Sequence, residues 1–317
     1  MGFISELFGY ILNWLYGLVS NYGLAIIIFS ILLRVILIPI TIKQQKSMKK
    51  SAKLQEKMAE IQKKYKNNPE KLNQETIELY KSEKMSPFSG CLTSIIQLVI
   101  ILSVFWLVSQ PLTYMKRIDP QMIETYTNEM KESEFNPNNS YVQISVLDYA
   151  ETKYQEIEEQ LKQEDVENRE ELEAKRDDYN QLRLNMEFLG IDLSKVPTQS
   201  LNDWRVYIIP GLYVITSFIS IRLTTMTQNK KKKKKEDIVI ENGEVKEEPD
   251  PMEQMQAMNK SMTYMMPVMS VMIAVIAPLG LALYWLMSNI LMIIERLVIN
   301  KIMESKEEKD EEEKANG

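Results

Sequence analysis

A single arginine inside a long apolar run is the residue whose placement most demands a chemical explanation. Residues 22–42 read YGLAIIIFSILLRVILIPITI, with Arg34 the only charge among them. Twenty-one helical residues span roughly 30 Å, the thickness of a bilayer core. Arg34 stands eight residues before Ile42, so about 12 Å below one surface, too deep for its head to snorkel out past Pro39. A guanidinium at that depth costs roughly 2.5–3.5 kcal/mol on insertion scales. Steps of four and seven place Gly23, Ser30 and Thr41 on the same face as Arg34, a polar stripe on a greasy helix. Two readings follow. The arginine is paired inside a helix bundle for structural reasons, or it lines a water-filled cavity where its charge is used. The polar stripe favours the second.

Composition narrows the chemistry. The 317 residues carry 45% apolar side chains and a net charge of −6, averages that would suit an acidic soluble protein. Their segregation says otherwise, since Lys- and Glu-rich blocks alternate with apolar runs of membrane-crossing length. The chain has no His and one Cys, Cys91, which excludes His/Cys metal sites, a disulfide framework and Cys–His nucleophile pairs. It also lacks a phosphate-binding glycine loop and a nucleophile elbow. The expectation is a protein that is not an enzyme and needs no cofactor.

The elements that must position Arg34 can be taken in order. Residues 1–19 form an amphipathic helix with Phe3, Leu7, Ile11, Trp14 and Leu18 at helical spacing, expected to lie in the membrane interface with Tyr10, Trp14 and Tyr16 at headgroup depth. No Lys or Arg precedes Arg34, so it is not read as a cleaved signal peptide. Residues 20–42 make the first span. Residues 43–86, with twelve Lys and six Glu, form a basic helical hairpin. Its apolar stripes Leu54, Met58, Ile61, Tyr65 and Leu72, Thr76, Leu79, Tyr80 meet across a break at Asn67-Asn68-Pro69. A second span occupies 92–110, with Gln97 and Ser103 as its polar residues. Residues 111–203 carry ten basic against twenty-one acidic side chains and read as a helical, solvated loop. There Asp119-Pro120 starts a helix, and two further stripes (Tyr154, Ile157, Leu161 and Leu172, Tyr179, Leu182, Met186) do not join in register across 165–168, so two helices or one kinked helix are expected. The third span is 204–225, with Ser217 and Ser220 near mid-depth. A lysine-rich linker, 226–261, follows. The fourth span (262–277, containing Pro267) turns at Pro278-Leu279-Gly280 into a fifth, 279–302, and residues 303–317 form a charged tail expected to be disordered.

Basic residues orient these elements. The hairpin and Lys230–Lys235 abut membrane ends and belong in the cytoplasm by the positive-inside rule. Five spans then leave the N-terminus and the acidic loop outside, and the C-terminus in the cytoplasm.

Several stretches also resemble one family. Asn21-Tyr22-Gly23-Leu24-Ala25-Ile26 leading to Leu33-Arg34, Pro39 and Thr41 is similar to the first core helix of the YidC/Oxa/Alb membrane protein insertases. So are Gln45-Lys46-Ser47-Met48, Lys71-Leu72-Asn73, Leu79-Tyr80-Lys81 and Pro87 with Gly90-Cys91-Leu92 and Gln97. Phe188-Leu189-Gly190-Ile191-Asp192-Leu193, Met265-Met266-Pro267 and the run from Pro278 through Tyr284-Trp285 to Ser288-Asn289 follow in the family's order. The resemblance implies an all-α membrane protein of five spans around a hydrophilic groove that is open to cytoplasm and lipid and closed outside. It implies that Arg34 supplies the groove's charge and that Ser30, Gln97, Ser220, Tyr284 and Trp285 line or cap it. Nascent membrane proteins would be the substrates, received from the ribosome at the hairpin, with membrane lipids and a Sec-type translocon as further partners and no nucleic-acid sequence recognition. The implied location is the bacterial plasma membrane. Ser220 stands where many relatives carry Gln, and the tail, with four Lys against seven acidic residues from Lys301 onward, is no basic ribosome anchor.

The rival class is a small-ion transporter or channel, which would carry inverted repeats and paired intramembrane carboxylates. Neither is found. Glu295, the one carboxylate in an expected span, lies about a turn nearer the cytoplasm than Arg34; it is read as an interfacial residue beside Arg296, with a structural pair to Arg34 as the alternative. On this reading Arg34→Ala leaves a folded protein selectively defective toward acidic substrates.

Overall fold

The computed structural model describes residues 2–65, 68–83, 89–135, 140–163, 168–236, 269 and 271–316. It divides into two compact units. One comprises Met1–Leu32, Ile101–Ser220 and Val268–Met292; the other Leu33–Ile100, Ile221–Pro267 and Ile293–Gly317.

The first unit opens with α1 (Gly2–Val19), which buries Ser5, Phe8, Gly9, Leu12 and Leu15. Phe3, Leu7, Tyr10, Trp14 and Leu18 are exposed, an apolar outer face suited to the membrane interface. Ser5 is on the inner face because its hydroxyl donates to the Ser103 carbonyl at 3.0 Å. Gly9 is there because a Cβ would fall 1.8 Å from the Tyr114 carbonyl oxygen. Ser20 turns the chain with a φ of 51°. Asn21 then caps α2 (Tyr22–Lys64), accepting from the Leu24 amide at 3.0 Å.

Helix α4 (Ser89–Ser109) runs into a wide helical turn, Leu112–Lys116, that buries Leu112 and Met115. Beyond it α5 (Pro120–Glu132), α6 (Val142–Leu161) and α7 (Arg169–Leu182) build the acidic segment. Asp119 caps α5 through the Gln121 amide, and α6 and α7 are separate helices. Arg183 grips Glu151 with two hydrogen bonds of 2.6 and 2.9 Å while lying over the Tyr154 ring. Tyr149 and Tyr179 both donate to Glu129. Burial, with the Arg183 charge nearby, lowers the Lys116 ammonium to about 8.

A two-stranded antiparallel hairpin follows, β1 (Glu187–Phe188) and β2 (Ile191–Asp192), with Glu187 opposite Asp192. It is the one departure from helix among the described regular elements. The segment around it closes the ends of two long helices. The Tyr22 amide donates to the Asn185 carbonyl (2.9 Å) and the Asn21 side chain to the Glu187 carbonyl (2.6 Å). The amides of Leu279 and Gly280 donate to the carbonyls of Lys195 and Leu193. Donors that a helix start leaves orphaned are thereby satisfied by one loop. Asp203 receives Arg205 and Lys195, and the Arg205 hydrogen bonds foremost hold its carboxyl down at about 2.

Helix α8 (Ile208–Glu236) and α9 (Leu279–Asn316) begin in this unit. Residues 271–276 are helical, and most of the expected fourth span, the breaker at 84–88, the loop at 136–139 and the linker from 237 lie outside the described residues.

In the second unit α2 continues unbroken into the first arm of the basic hairpin, with Pro39 inside it. Beyond Pro39 the residues are helix formers, and the start of a helix already underway needs no new nucleus. Asn68 caps α3 (Pro69–Ser82) through the Lys71 amide, with Pro69 at the first position. Leu54 is buried, Tyr65 donates to Glu75 at 3.0 Å, and Lys57 pairs with Glu83. The two arms therefore meet as the sequence pattern requires.

One expectation is corrected: the tail is helix to Asn316. The third span's helix also runs on through the lysines to Glu236. Neither stretch contains Gly or Pro before those points, and the tail spaces Asp310 four residues before Lys314, a helix-supporting order. Charge alone does not break a helix already underway.

Candidate functional site

Three helices are long and apolar enough to cross a membrane among the described residues: Tyr22–Ser47, Trp204–Leu223 and Leu279–Ile299. Over an apolar 18-residue portion of each, only 28%, 22% and 33% is buried within the protein. What they bury is the informative part. Along α8 the inward residues are Ile209, Tyr213, Ser217 and Ser220, while Leu212, Ile215, Phe218 and Ile219 face out. Along α9 Asn289, Glu295 and Ile299 are inside and Ile294, Leu297 and Val298 outside. Along α2 Ser30 is buried, whereas Val35, Ile36, Ile38 and Ile40 are exposed. Water would reward the opposite arrangement. Polar groups inward and aliphatic groups outward is what a hydrocarbon solvent selects.

In the second unit Arg34 meets Glu295. The guanidinium Nη1 lies 3.3 Å from Oε2, and the two side chains are 14% and 7% exposed. This differs from the expectation of an arginine without a carboxylate partner and from an interfacial Glu295. The reason is the face of α9 that meets α2: Glu295 lies inside the expected span 279–302 and on that side of the helix. The contact is one of charge, since neither Glu295 oxygen finds an aligned hydrogen-bond donor among the described residues. At an effective dielectric near 20 two unit charges at this distance attract by roughly 5 kcal/mol, comparable with the several kcal/mol of desolvation each ion suffers. Attraction and desolvation are thus near balance.

In the first unit α8 and α9 are joined by a polar cluster. The Asn289 side-chain amide donates to Thr216 Oγ1 at 3.1 Å and to Ser217 Oγ at 3.2 Å. Tyr284 is buried, Trp285 is half-buried, and the Trp285 ring lies 6.3 Å from Tyr213. Ser30 donates to its own helix, to the Ile26 carbonyl at 2.7 Å, as Thr41 does to Leu37 in the second unit. Of the residues expected to act together, Ser30, Ser220 and Tyr284 are all buried in this unit, and Arg34 is half-buried in the other. The side chain of Gln97 lies outside the described residues. Asn289 and Thr216 carry no role in the sequence reading, although an Asn in an apolar run is itself a signal of a buried hydrogen-bonding partner.

Comparison with known proteins fits this inverted packing. The family model of the 60Kd inner membrane protein matches residues 14–307. The chain belongs to that family. It is a helical membrane protein, and the matched range contains every polar membrane residue described above. Among curated relatives, a membrane protein insertase YidC of Caldanaerobacter subterraneus subsp. tengcongensis is 40% identical over 105 residues, 33% of this chain and 51% of the relative. One from Fusobacterium nucleatum subsp. nucleatum is 41% identical over 102 residues, 32% and 50% of the two chains. One from Syntrophus aciditrophicus is 47% identical over 94 residues, 30% of this chain and 17% of the relative. The matches thus span about half the length of the first two relatives and less of the third.

Proposed function

We propose that this protein is a membrane protein insertase of the bacterial plasma membrane. It has five spans, the N-terminus outside and the C-terminus in the cytoplasm. Nascent membrane proteins are its substrates. Their hydrophilic segments enter a positively charged groove open to the cytoplasm, and their apolar segments leave it sideways into lipid. The groove is lined or capped by Arg34, Ser30, Gln97, Ser220, Tyr284 and Trp285. The hairpin of α2 and α3 receives the chain from the ribosome, alone or beside a Sec-type translocon. The work is physical: no bond is made or broken, and no cofactor takes part. A polar surface within the membrane lowers the cost of carrying a short hydrophilic segment across, and the apolar segment then partitions into the bilayer.

The observation that carries the reading is the Arg34–Glu295 contact, a poorly aligned charge pair, 14% and 7% exposed, on two helices of membrane-crossing length. A pair kept only for stability would be expected to satisfy its remaining oxygens. In this reading Glu295 holds the arginine charge at rest, and an acidic substrate segment displaces it. The test is photo-crosslinking to ribosome-stalled membrane protein chains, with the photoreactive residue at Ser30, Ser220 or Trp285 and, as reference, at exposed Leu212 of α8. Crosslinks from the first three that move along the substrate as it lengthens are expected. Crosslinks from none of them, with the protein folded in the membrane, would reject the groove.

A further inference from the structure

The turn of the β1–β2 hairpin is made by Leu189 and Gly190, with φ of +52° and +76°. Two-residue hairpin turns with both residues left-handed favour Asn-Gly or Gly-Gly, and a leucine there is strained. Leu189 gains nothing from the protein in exchange, for it is 86% exposed. Its neighbour Phe188 packs so closely on α2 that a Cβ at Gly23 would fall 2.5 Å from the ring. The hairpin therefore sends one apolar side chain inward and holds the next outward at a cost. Nearby in the chain Leu201 and Trp204 are 69% and 72% exposed. Arg205, directly after Trp204, donates to the Gly190 carbonyl at 3.2 Å, which ties the hairpin turn to the start of the α8 span. The α8 span itself begins at Trp204.

We propose that Leu189, Leu201 and Trp204 form a lipid-contacting tip that dips into the outer leaflet of the bilayer beside the outer end of α8. The occupant is lipid because the patch is continuous with a span whose outward side chains already face hydrocarbon. Its composition also matches a membrane boundary, with a tryptophan at headgroup depth. An inserted leucine recovers the burial that the folded chain denies it, which offsets the strained turn. The same loop hydrogen-bonds the starts of α2 and α9, so the tip sets the depth of both helix ends relative to the lipid surface.

The inference rests on α8 being a span, and the experiment separates the two. The full chain carrying Cys91→Ser is labelled with an environment-sensitive fluorophore at Leu189→Cys, at Leu212→Cys or at Ala174→Cys. Leu212 is an outward position of the span, and Ala174 an exposed position between Glu173 and Lys175 of α7. Each protein is reconstituted into phosphatidylcholine–phosphatidylglycerol vesicles. The Leu189 probe is expected to emit at the blue-shifted wavelength of the Leu212 probe, to be quenched by nitroxide-bearing lipid and to resist iodide. Emission and iodide quenching at Leu189 equal to those at Ala174, with Leu212 reporting lipid, would overturn the tip while leaving the span intact. A Leu212 probe that reports water would overturn the span and the tip together.

Discussion

At the scale of single residues the pairing of Arg34 with Glu295 changes what substitution should do. Read from sequence, Arg34→Ala is folded and selectively defective. With Glu295 buried beside it, the alanine variant strands a carboxylate, a loss of about 3–5 kcal/mol. Arg34→Ala is therefore expected to lower thermal stability in detergent, and Arg34→Ala with Glu295→Gln to recover most of it. Arg34→Lys keeps the charge without the planar fork and should stay close to the parent in stability. Insertion of substrates with acidic outer segments is expected to fail in both alanine variants and to survive in the lysine variant. Full recovery of insertion in the double variant would reduce the pair to a structural strut. Arg34 itself was legible in the sequence because a charge in twenty apolar residues has few explanations. Its partner was legible only as an alternative, because Glu295 sits next to Arg296 and an apolar span does not say which of its faces meets α2.

At the scale of elements the helices were legible wherever apolar spacing and caps agreed. Asn68-Pro69 and Asp119-Pro120 start helices as their chemistry dictates, and the split between α6 and α7 followed from two stripes out of register. The tail was misjudged because charge runs signal solvation without saying whether the backbone beneath is helical. The close contact of α1 with the turn after α4 was not legible either, since a glycine in a helix names no partner. That contact makes Gly9 a sharp probe. Gly9→Ala places a methyl against the Tyr114 backbone oxygen, which no rotamer can relieve. It should destabilise the first unit by roughly 1–3 kcal/mol, measured as a lower unfolding temperature and faster amide exchange in α1, even though alanine is the better helix former. Gly17, which has open space about it, should accept alanine with no loss; destabilisation there equal to that at Gly9 would show the effect to be one of helix propensity and not of the contact.

At the scale of the whole molecule the inverted packing of α2, α8 and α9 identifies the solvent as lipid, while orientation rests on basic residues alone. Cysteines at Ala174 of α7 and Ser82 of α3, both exposed, test it in a Cys91→Ser background. A membrane-impermeant thiol reagent added to intact cells is expected to label position 174 and to reach position 82 only after lysis. The reverse pattern would turn the molecule over and remove the cytoplasmic groove. The loop at 185–195 also bears on time. The Asn21 side chain waits for the Glu187 carbonyl, 166 residues further along the chain, and the Tyr22 amide waits for Asn185. At a synthesis rate of about 5–20 residues per second, α2 waits roughly 8–33 s with its N-terminal end unsealed. During its own birth the protein therefore holds an unfinished helix, and the arrival of a short hairpin decides when that helix is complete.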